Sequence, residues 1–458
     1  MVMHTLEQLR SGELSGARHL KLSENLIAFP PEILSLKDSL EVLDLSGNQL
    51  SELPDALAEC HRLRIIFCSE NNFTRLPEVL GRCSALTMIG FKANRIREVP
   101  AVALPPQLRW LVLTDNQIAA LPDELGQCHQ LQKLMLAGNR LESLPSTLAN
   151  CQRLELVRLA ANRLTELPSW LLELPRLSWL AFAGNPCCKP PRQTEAVTSV
   201  AWAALALGEQ LGEGASGRIL SATWQQTFGS LPVAVKCFKG EMTSDGLPQS
   251  EMAASLAAGR HPGLIELIGE IADHPAGIPA LVMALIAPEF STLAGPPSLD
   301  SCTRDVYASG FSLSMSAMLG IAERLASVAA HLHSRGILHG DLYGHNILHD
   351  GRGEALLGDF GAASFYAPGS SSGAALERLE VRAFGCLLEE LMAHGDLSAP
   401  LREALGGLMH ECLQEAPAAR PDFVSVHARL RQIASSAWGA SGAEHLDGVA
   451  KAESVLTD

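Results

Sequence analysis

The chain has 458 residues, of which 47% are hydrophobic and 19% charged. At roughly 150 residues per folding unit this length implies about three, and the apolar content excludes wholesale disorder. Acidic side chains outnumber basic ones by 50 to 35, a net charge of −15; nucleic acid or an anionic bilayer is thereby disfavoured as main partner, since both select clustered positive charge. The first residues, 1–14, lack the apolar core of a secretory signal. The longest apolar runs, Ala203–Leu207 and Ala280–Ala287, fall far short of the roughly 20 residues that cross a bilayer, so no membrane span is expected. The 11 cysteines then read as reduced thiols, and a cytoplasmic location is expected.

In chain order, Thr5–Arg10 is expected to form a capping helix. Asn25, Asn48, Asn71, Asn94, Asn116, Asn139, Asn162 and Asn185 then recur at 23 residues, with one step of 22. Around each returns L-x-x-L-x-L-x-x-N-x-L, as in Leu131-Leu134-Leu136-Asn139-Leu141, and most units close on a Pro such as Pro54, Pro122 or Pro145. Eight units at one phase resemble the leucine-rich repeat family. Each short strand cannot bury its apolar face alone, so neighbours must stack into a parallel sheet with a shared core. The asparagines are expected to turn inward and bond backbone groups of adjacent coils. Cys60, Cys83, Cys128 and Cys151, each three residues before a repeat's first Leu, are expected to stack as small buried side chains without binding metal.

Side chains six and four residues before each Asn alternate to the concave face. There Ile65, Phe67, Met88, Trp110, Val112 and Met135 would form a contiguous apolar patch, expected to bind a protein or the chain's own second half. Asn185-Pro186-Cys187-Cys188 ends the pattern, and the following prolines stop further pairing.

Beyond a linker the punctuation changes. Leu211, Gly212, Glu213, Gly214, Ala215, Ser216, Gly217, Arg218 and Ile219 contain G-x-G-x-x-G between two expected strands, and Val233-Ala234-Val235-Lys236 follows. A dinucleotide-binding turn would need a helix next. This arrangement instead resembles the nucleotide lobe of a protein kinase. Glu251 lies 15 residues after Lys236 in an expected helix, Glu251–Ala258, and Leu281-Val282-Met283 reads as a strand entering a hinge with Leu285. His339-Gly340-Asp341-Leu342-Tyr343-Gly344-His345-Asn346 and Asp359-Phe360-Gly361 follow, then Arg420-Pro421-Asp422-Phe423. Over about residues 205–434 these motifs resemble the eukaryotic-type protein kinases. The two halves together resemble the bacterial leucine-rich-repeat protein kinases.

The resemblance implies that the glycine-loop residues, Ala234, Lys236, Met283, Leu285 and Asp359 hold ATP, and that Asn346 and Asp359 hold Mg2+. It implies that Lys236, oriented by Glu251, contacts the phosphates, while Asp341 orients the acceptor hydroxyl.

The chain departs from that pattern in several places. Gly340 stands where an Arg usually precedes the Asp, and Tyr343 where Ser/Thr kinases carry Lys. Position 345 holds His. The activation segment Ala362–Leu379 is short and lacks A-P-E, leaving Arg420 without the family's Glu partner; Glu380 appears in place of an Asp. Ser370, Ser371 and Ser372 are either phosphate acceptors or a Gly/Ser turn.

The expected architecture is multidomain, α/β plus α+β: an eight-repeat solenoid with its cap (1–191), a linker (192–204), a bilobal kinase-like fold (205–434, N-lobe about 205–285, C-lobe about 286–434) and a flexible acidic tail (435–458). The expected function is ATP-dependent phosphoryl transfer to Ser/Thr of a protein, with the repeats choosing partners or restraining the kinase. Two alternatives are a phosphotransferase acting on aminoglycosides or choline-like alcohols and a non-catalytic pseudokinase scaffold.

Overall fold

The computed structural model describes residues 2–190, 197–214, 216–240 and 242–437. Helix α1 (Leu6–Arg10) closes the first coil, and Thr5 caps it through a reciprocal pair of bonds with Gln8. Eight three-residue strands then form one parallel sheet in chain order: β1 (His19–Lys21), β2 (Val42–Asp44), β3 (Ile65–Phe67), β4 (Met88–Gly90), β5 (Trp110–Val112), β6 (Lys133–Met135), β7 (Leu156–Arg158) and β8 (Trp179–Ala181). Opposite them the chain returns through short 3-10 turns such as Asp55–Glu59 and Asp123–Gln127, each begun by an extended Pro. A short helix, α2 (Ser169–Leu172), takes that place in the last repeat.

The asparagine ladder forms as the periodicity requires. Asn139 donates to the carbonyls of Leu113 at 2.9 Å and Leu136 at 3.0 Å, and accepts from the Ile118 amide at 3.0 Å. Asn25, at the solenoid's start, instead lies exposed in a left-handed turn with φ 55°. The four stacked cysteines are buried, and burial pushes the Cys60, Cys83 and Cys128 thiols up to about 11 and Cys151 to about 12. Such thiols stay protonated and unreactive near neutrality.

The second half begins earlier than its motifs suggest. Within 197–204, expected as linker, Val200 is buried in the N-lobe core with Val233, Val235 and Val282. Its amide bonds the Glu270 carbonyl at 2.9 Å. That lobe is an antiparallel sheet of β9 (Leu205–Glu213), β10 (Gly217–Gln226), β11 (Gly229–Phe238), β12 (Leu267–Ile271) and β13 (Ala280–Ala284), ordered β12-β13-β11-β10-β9, with α3 (Pro248–Ala258) beside it.

The larger lobe carries a small sheet of β14 (Ser291–Thr292), β16 (Ile347–His349) and β17 (Ala355–Leu357), and a pair of β15 (Ile337–Leu338) and β18 (Ser364–Phe365). Its helices are α4 (Met315–Ser334), α5 (Ser371–His394), α6 (Ala399–Cys412) and a helical run over 423–437. Helix α5 starts nine residues before Glu380, with Ser370 as its cap. The expected loop Ala362–Leu379 therefore shrinks to 362–370. The serine cluster is a helix start, which the cap bond favours over a free turn. Among the described residues no helix is long and apolar enough to cross a membrane. The tail beyond 437 lies outside the described residues.

The two halves are not beads on a string. A continuous apolar core runs from the repeats, through Leu180 and Phe182, into Leu338, Leu342 and Phe384 of the larger lobe. On the concave face Val42, Ile65 and Met88 cluster with Phe67, Trp110 and Leu299, the last from the second half. The expected patch is therefore covered in part by this chain itself.

Candidate functional site

The cleft between the lobes is built from strand alternation on one side and a braced loop on the other. On β11, Val233 and Val235 face the lobe's core, so Ala234 and Lys236 face the cleft. Met283 pairs with Ala234 and shares that face, and Leu285, exposed, continues it two residues on. Ile219 pairs with Lys236, so it too faces the cleft. By the same alternation Arg218 points to the far side of the sheet, where Glu213 pairs with it at 3.6 Å and with Lys239 at 2.6 Å. Of the expected nucleotide-binding positions Arg218 and Glu213, only the backbone borders the cleft, because the strand period turns their side chains away.

The glycine loop folds on itself through the Gly214 amide and the Gly217 carbonyl at 2.9 Å. A Cβ on Gly212 or Gly214 would meet open space, whereas one on Gly217 would strike the Cys237 carbonyl at 2.5 Å. The first two thus leave room for a ligand and the third lets two strands close up. Leu211 is exposed and Ser216 half-buried, and Ala215 lies outside the described residues.

Lys236 is ion-paired with Glu251 of α3, which is 2% exposed. Burial raises the Glu251 carboxyl's pKa, opposed by the Lys236 charge. Across the cleft, the loop between β15 and β16 is pinned by Glu380, which accepts from the Gly340 amide at 2.7 Å and the His339 amide at 3.3 Å, and pairs with His333 at 2.8 Å. Burial works against that charge, but the His333 bond and the backbone donors hold the carboxyl below its ordinary range. Asn346 donates to the Asp341 carbonyl at 2.9 Å and to its Oδ2 at 2.8 Å. Asp359 adopts φ 53°, and its Oδ1 accepts from the Gly361 amide at 3.0 Å.

Asp245, from the turn before α3, completes an acidic cluster: its carboxyl is raised by burial and feels Asp341 and Asp359, while Glu251 also feels Asp359. These carboxylates lie near Lys236 and Arg158, with Lys133 and His345 also close to Asp341. The hard oxygen donors of Asp359 and Asn346 suit Mg2+, which typically takes one or two protein ligands and completes its shell with water and phosphate.

The second cation comes from the repeats. Arg158, 1% exposed on β7, bonds Asp245 Oδ1 through Nε at 2.5 Å, the Gly340 carbonyl through Nη1 at 3.0 Å, and Asp341 Oδ1 through Nη2. Burial opposes its charge, but Asp341 and Asp245 raise its pKa above even the ordinary guanidinium value. Asp341 keeps a lowered pKa despite burial, because Arg158, His345 and His339 all lie near it. Beside it Trp179 stacks on Tyr343 with ring centroids 4.3 Å apart and donates to the Leu342 carbonyl at 3.2 Å.

Further along, the Phe182 amide bonds Ser364 Oγ at 2.8 Å, and the Phe365 amide bonds Cys188 Sγ at 3.1 Å. Arg420 finds its partners here too: the carbonyls of Pro175 at 2.7 Å, Gln414 at 2.8 Å and Arg378 at 3.1 Å. Arg158, Trp179 and Asp245 escaped the motif reading because no local pattern marks them. The available signal was a charged Arg158 in a concave row otherwise rich in small and apolar side chains.

Comparison with known proteins places families on both halves. Residues 205–382 match the model described as protein tyrosine and serine/threonine kinase, and residues 106–164 and 39–60 match leucine-rich-repeat models. The chain is 26% identical over 274 residues to the human tyrosine-protein kinase Srms, covering 50% of this chain and 52% of that protein. It is 30% identical over 106 residues to a probable serine/threonine-protein kinase of Arabidopsis thaliana, covering 23% and 13%. The chain thus spans about half or less of the length of these relatives. Among solved structures, a leucine-rich-repeat protein of Leptospira interrogans aligns with TM-score 0.34 and 23% identity over 40% of this chain and 54% of that one. The chain carries leucine-rich repeats and a protein kinase domain.

Proposed function

We propose that the protein transfers the γ-phosphoryl group of ATP to Ser or Thr hydroxyls of a protein. The observation that carries this reading is the convergence on one cleft of the Lys236–Glu251 pair, the Asp341–Asn346 pair and Asp359. Lys236, held by Glu251, positions the α- and β-phosphates, and the glycine-loop amides cover them. Asn346 and Asp359 are the residues that would hold Mg2+, which when bound offsets the phosphate charge. The acceptor oxygen forms its bond to the γ-phosphorus as the bond to the β-phosphate oxygen breaks, and ADP leaves. The hydroxyl proton passes to the Asp341 carboxylate, which its cationic neighbours keep ionised.

The test uses the full chain with γ-labelled ATP, Mg2+ and a panel of proteins and small alcohols, followed by phosphoamino-acid analysis. Label on Ser or Thr that disappears in Lys236→Met supports the reading. Label on aminoglycosides or choline alone, or on tyrosine alone, overturns it.

A further inference from the structure

We propose that the repeat domain holds this phosphotransfer site shut, with the Arg158 guanidinium seated on Asp341 where the acceptor hydroxyl must arrive. The proposal rests on the phosphotransfer reading above. Both oxygens of Asp341 are engaged, Oδ1 by Arg158 and Oδ2 by Asn346. The ground beside them is roofed by Trp179 on Tyr343 and by the tie of Phe182 to Ser364, leaving Tyr343 only 3% exposed. An acceptor side chain reaches Asp341 only after β7 and β8 disengage.

The catalytic loop is shaped for this contact. Gly340 has φ 74°, and a Cβ there would lie 2.6 Å from the Leu180 carbonyl of β8. A side chain such as the Arg of the kinase pattern is excluded there both by the docked repeats and by the lobe's own Ala362 carbonyl at 2.7 Å. Tyr343 supplies the flat surface that Trp179 needs, and Arg420 bonds Pro175 just before β8. Two departures from the kinase pattern, and the Arg420 left without its usual Glu, thus fall on contacts with the solenoid. The geometry of the charges points the same way: one guanidinium, on a side chain 2% exposed, ties Asp245 of the smaller lobe to Asp341 of the catalytic loop, whose side chains are 34% and 15% exposed. Lys236 and Glu251 remain paired throughout, so the block acts on the acceptor and leaves the nucleotide side assembled.

The experiment compares the full chain with Arg158→Ala and with the milder Asp245→Asn, which weakens the guanidinium's seat without touching the catalytic loop. Transfer from γ-labelled ATP to casein is measured alongside hydrogen exchange over residues 337–348. Arg158→Ala is expected to raise kcat/KM for casein at least about tenfold, within the range typical of coupling between sites, with KM for ATP little changed. Exchange in the loop should accelerate, and Asp245→Asn should fall between.

Transfer by the wild type that is unchanged or reduced in Arg158→Ala overturns the proposal alone; a reduction with unaltered exchange would make Arg158 an aid to catalysis. A loop that opens in the variants with no transfer to casein or to other proteins by any of them overturns the phosphotransfer reading, and this proposal with it.

Discussion

Replacing Gly340 by Ala probes the docking of the two halves with a single methyl group. The residue sits at φ 74°, and the new Cβ would approach the Leu180 carbonyl at 2.6 Å and the Ala362 carbonyl at 2.7 Å. The left-handed backbone costs an L-residue about 1 kcal/mol or more. Both close contacts are with backbone, so relief requires a strand or the segment after Asp359 to move. About 1 kcal/mol for that displacement is a modest allowance, on the scale of small overpacking. The φ cost and the Ala362 contact stay within the lobe, so the Leu180 contact alone drives separation of β8 from the loop, and about 1 kcal/mol raises that equilibrium roughly fivefold. Hydrogen exchange of the Phe182 amide, whose partner is Ser364 Oγ, reads this directly, because that bond breaks when the halves part. Exchange within about threefold of the wild type at this amide, with the fold intact, would refute the reasoning.

Other consequences are as specific. Asn139→Leu leaves the buried Ile118 amide without its acceptor, while the Leu113 and Leu136 carbonyls keep Asn116 and Asn162 as donors; at the cost of one unsatisfied buried group, the solenoid should lose about 1 to 3 kcal/mol in urea unfolding followed by a repeat-domain probe. Arg420→Met removes the bonds to the Gln414, Arg378 and Pro175 carbonyls, the last of which keeps only Arg382, and should speed exchange around Pro175 while leaving the N-lobe unchanged. His261 has its pKa pushed down to about 4, chiefly by burial and then by His331 and Arg324. Its folded value lies below the unfolded one, so its stabilising contribution is present above about pH 6.5 and is lost as pH falls from there toward 4. His261→Asn should flatten that part of the stability profile while keeping an acceptor for the Gly263 amide, and an unchanged slope in urea midpoints would contradict the assignment. Lys236→Met leaves Glu251 buried without its cation, and should abolish the thermal shift produced by Mg-ATP.

Much of the fold was legible because its signals are local or periodic. The 23-residue asparagine phase fixed all eight strands at the rows where the structure has them, and a Pro opens each convex turn. The helix bearing Glu251 and the strand bearing Lys236 follow from short patterns in the same way. Strand alternation likewise accounts for the Arg218 and Glu213 side chains facing away from the cleft. The second half starts ahead of its motifs because Ser199 bridges Glu270 and Val200 enters the lobe's core, which no composition change announces. Arg158 and Trp179 were invisible as site residues for a deeper reason. Their partners lie 183 and 163 positions away, and only the docking of one domain on another brings them together. Gly340 and Tyr343 were visible as departures from a pattern, but their cause lay in Leu180 and Trp179 on a different domain.

The most direct test of the whole account is a crystal structure of the full chain with Mg2+ and a non-hydrolysable ATP analogue. The account predicts a metal ion bound by Asn346 and Asp359, the phosphates on Lys236 and the glycine-loop amides, and Arg158 still seated on Asp341. Phosphates placed elsewhere, or a cleft that remains without nucleotide at saturating analogue, would contradict it.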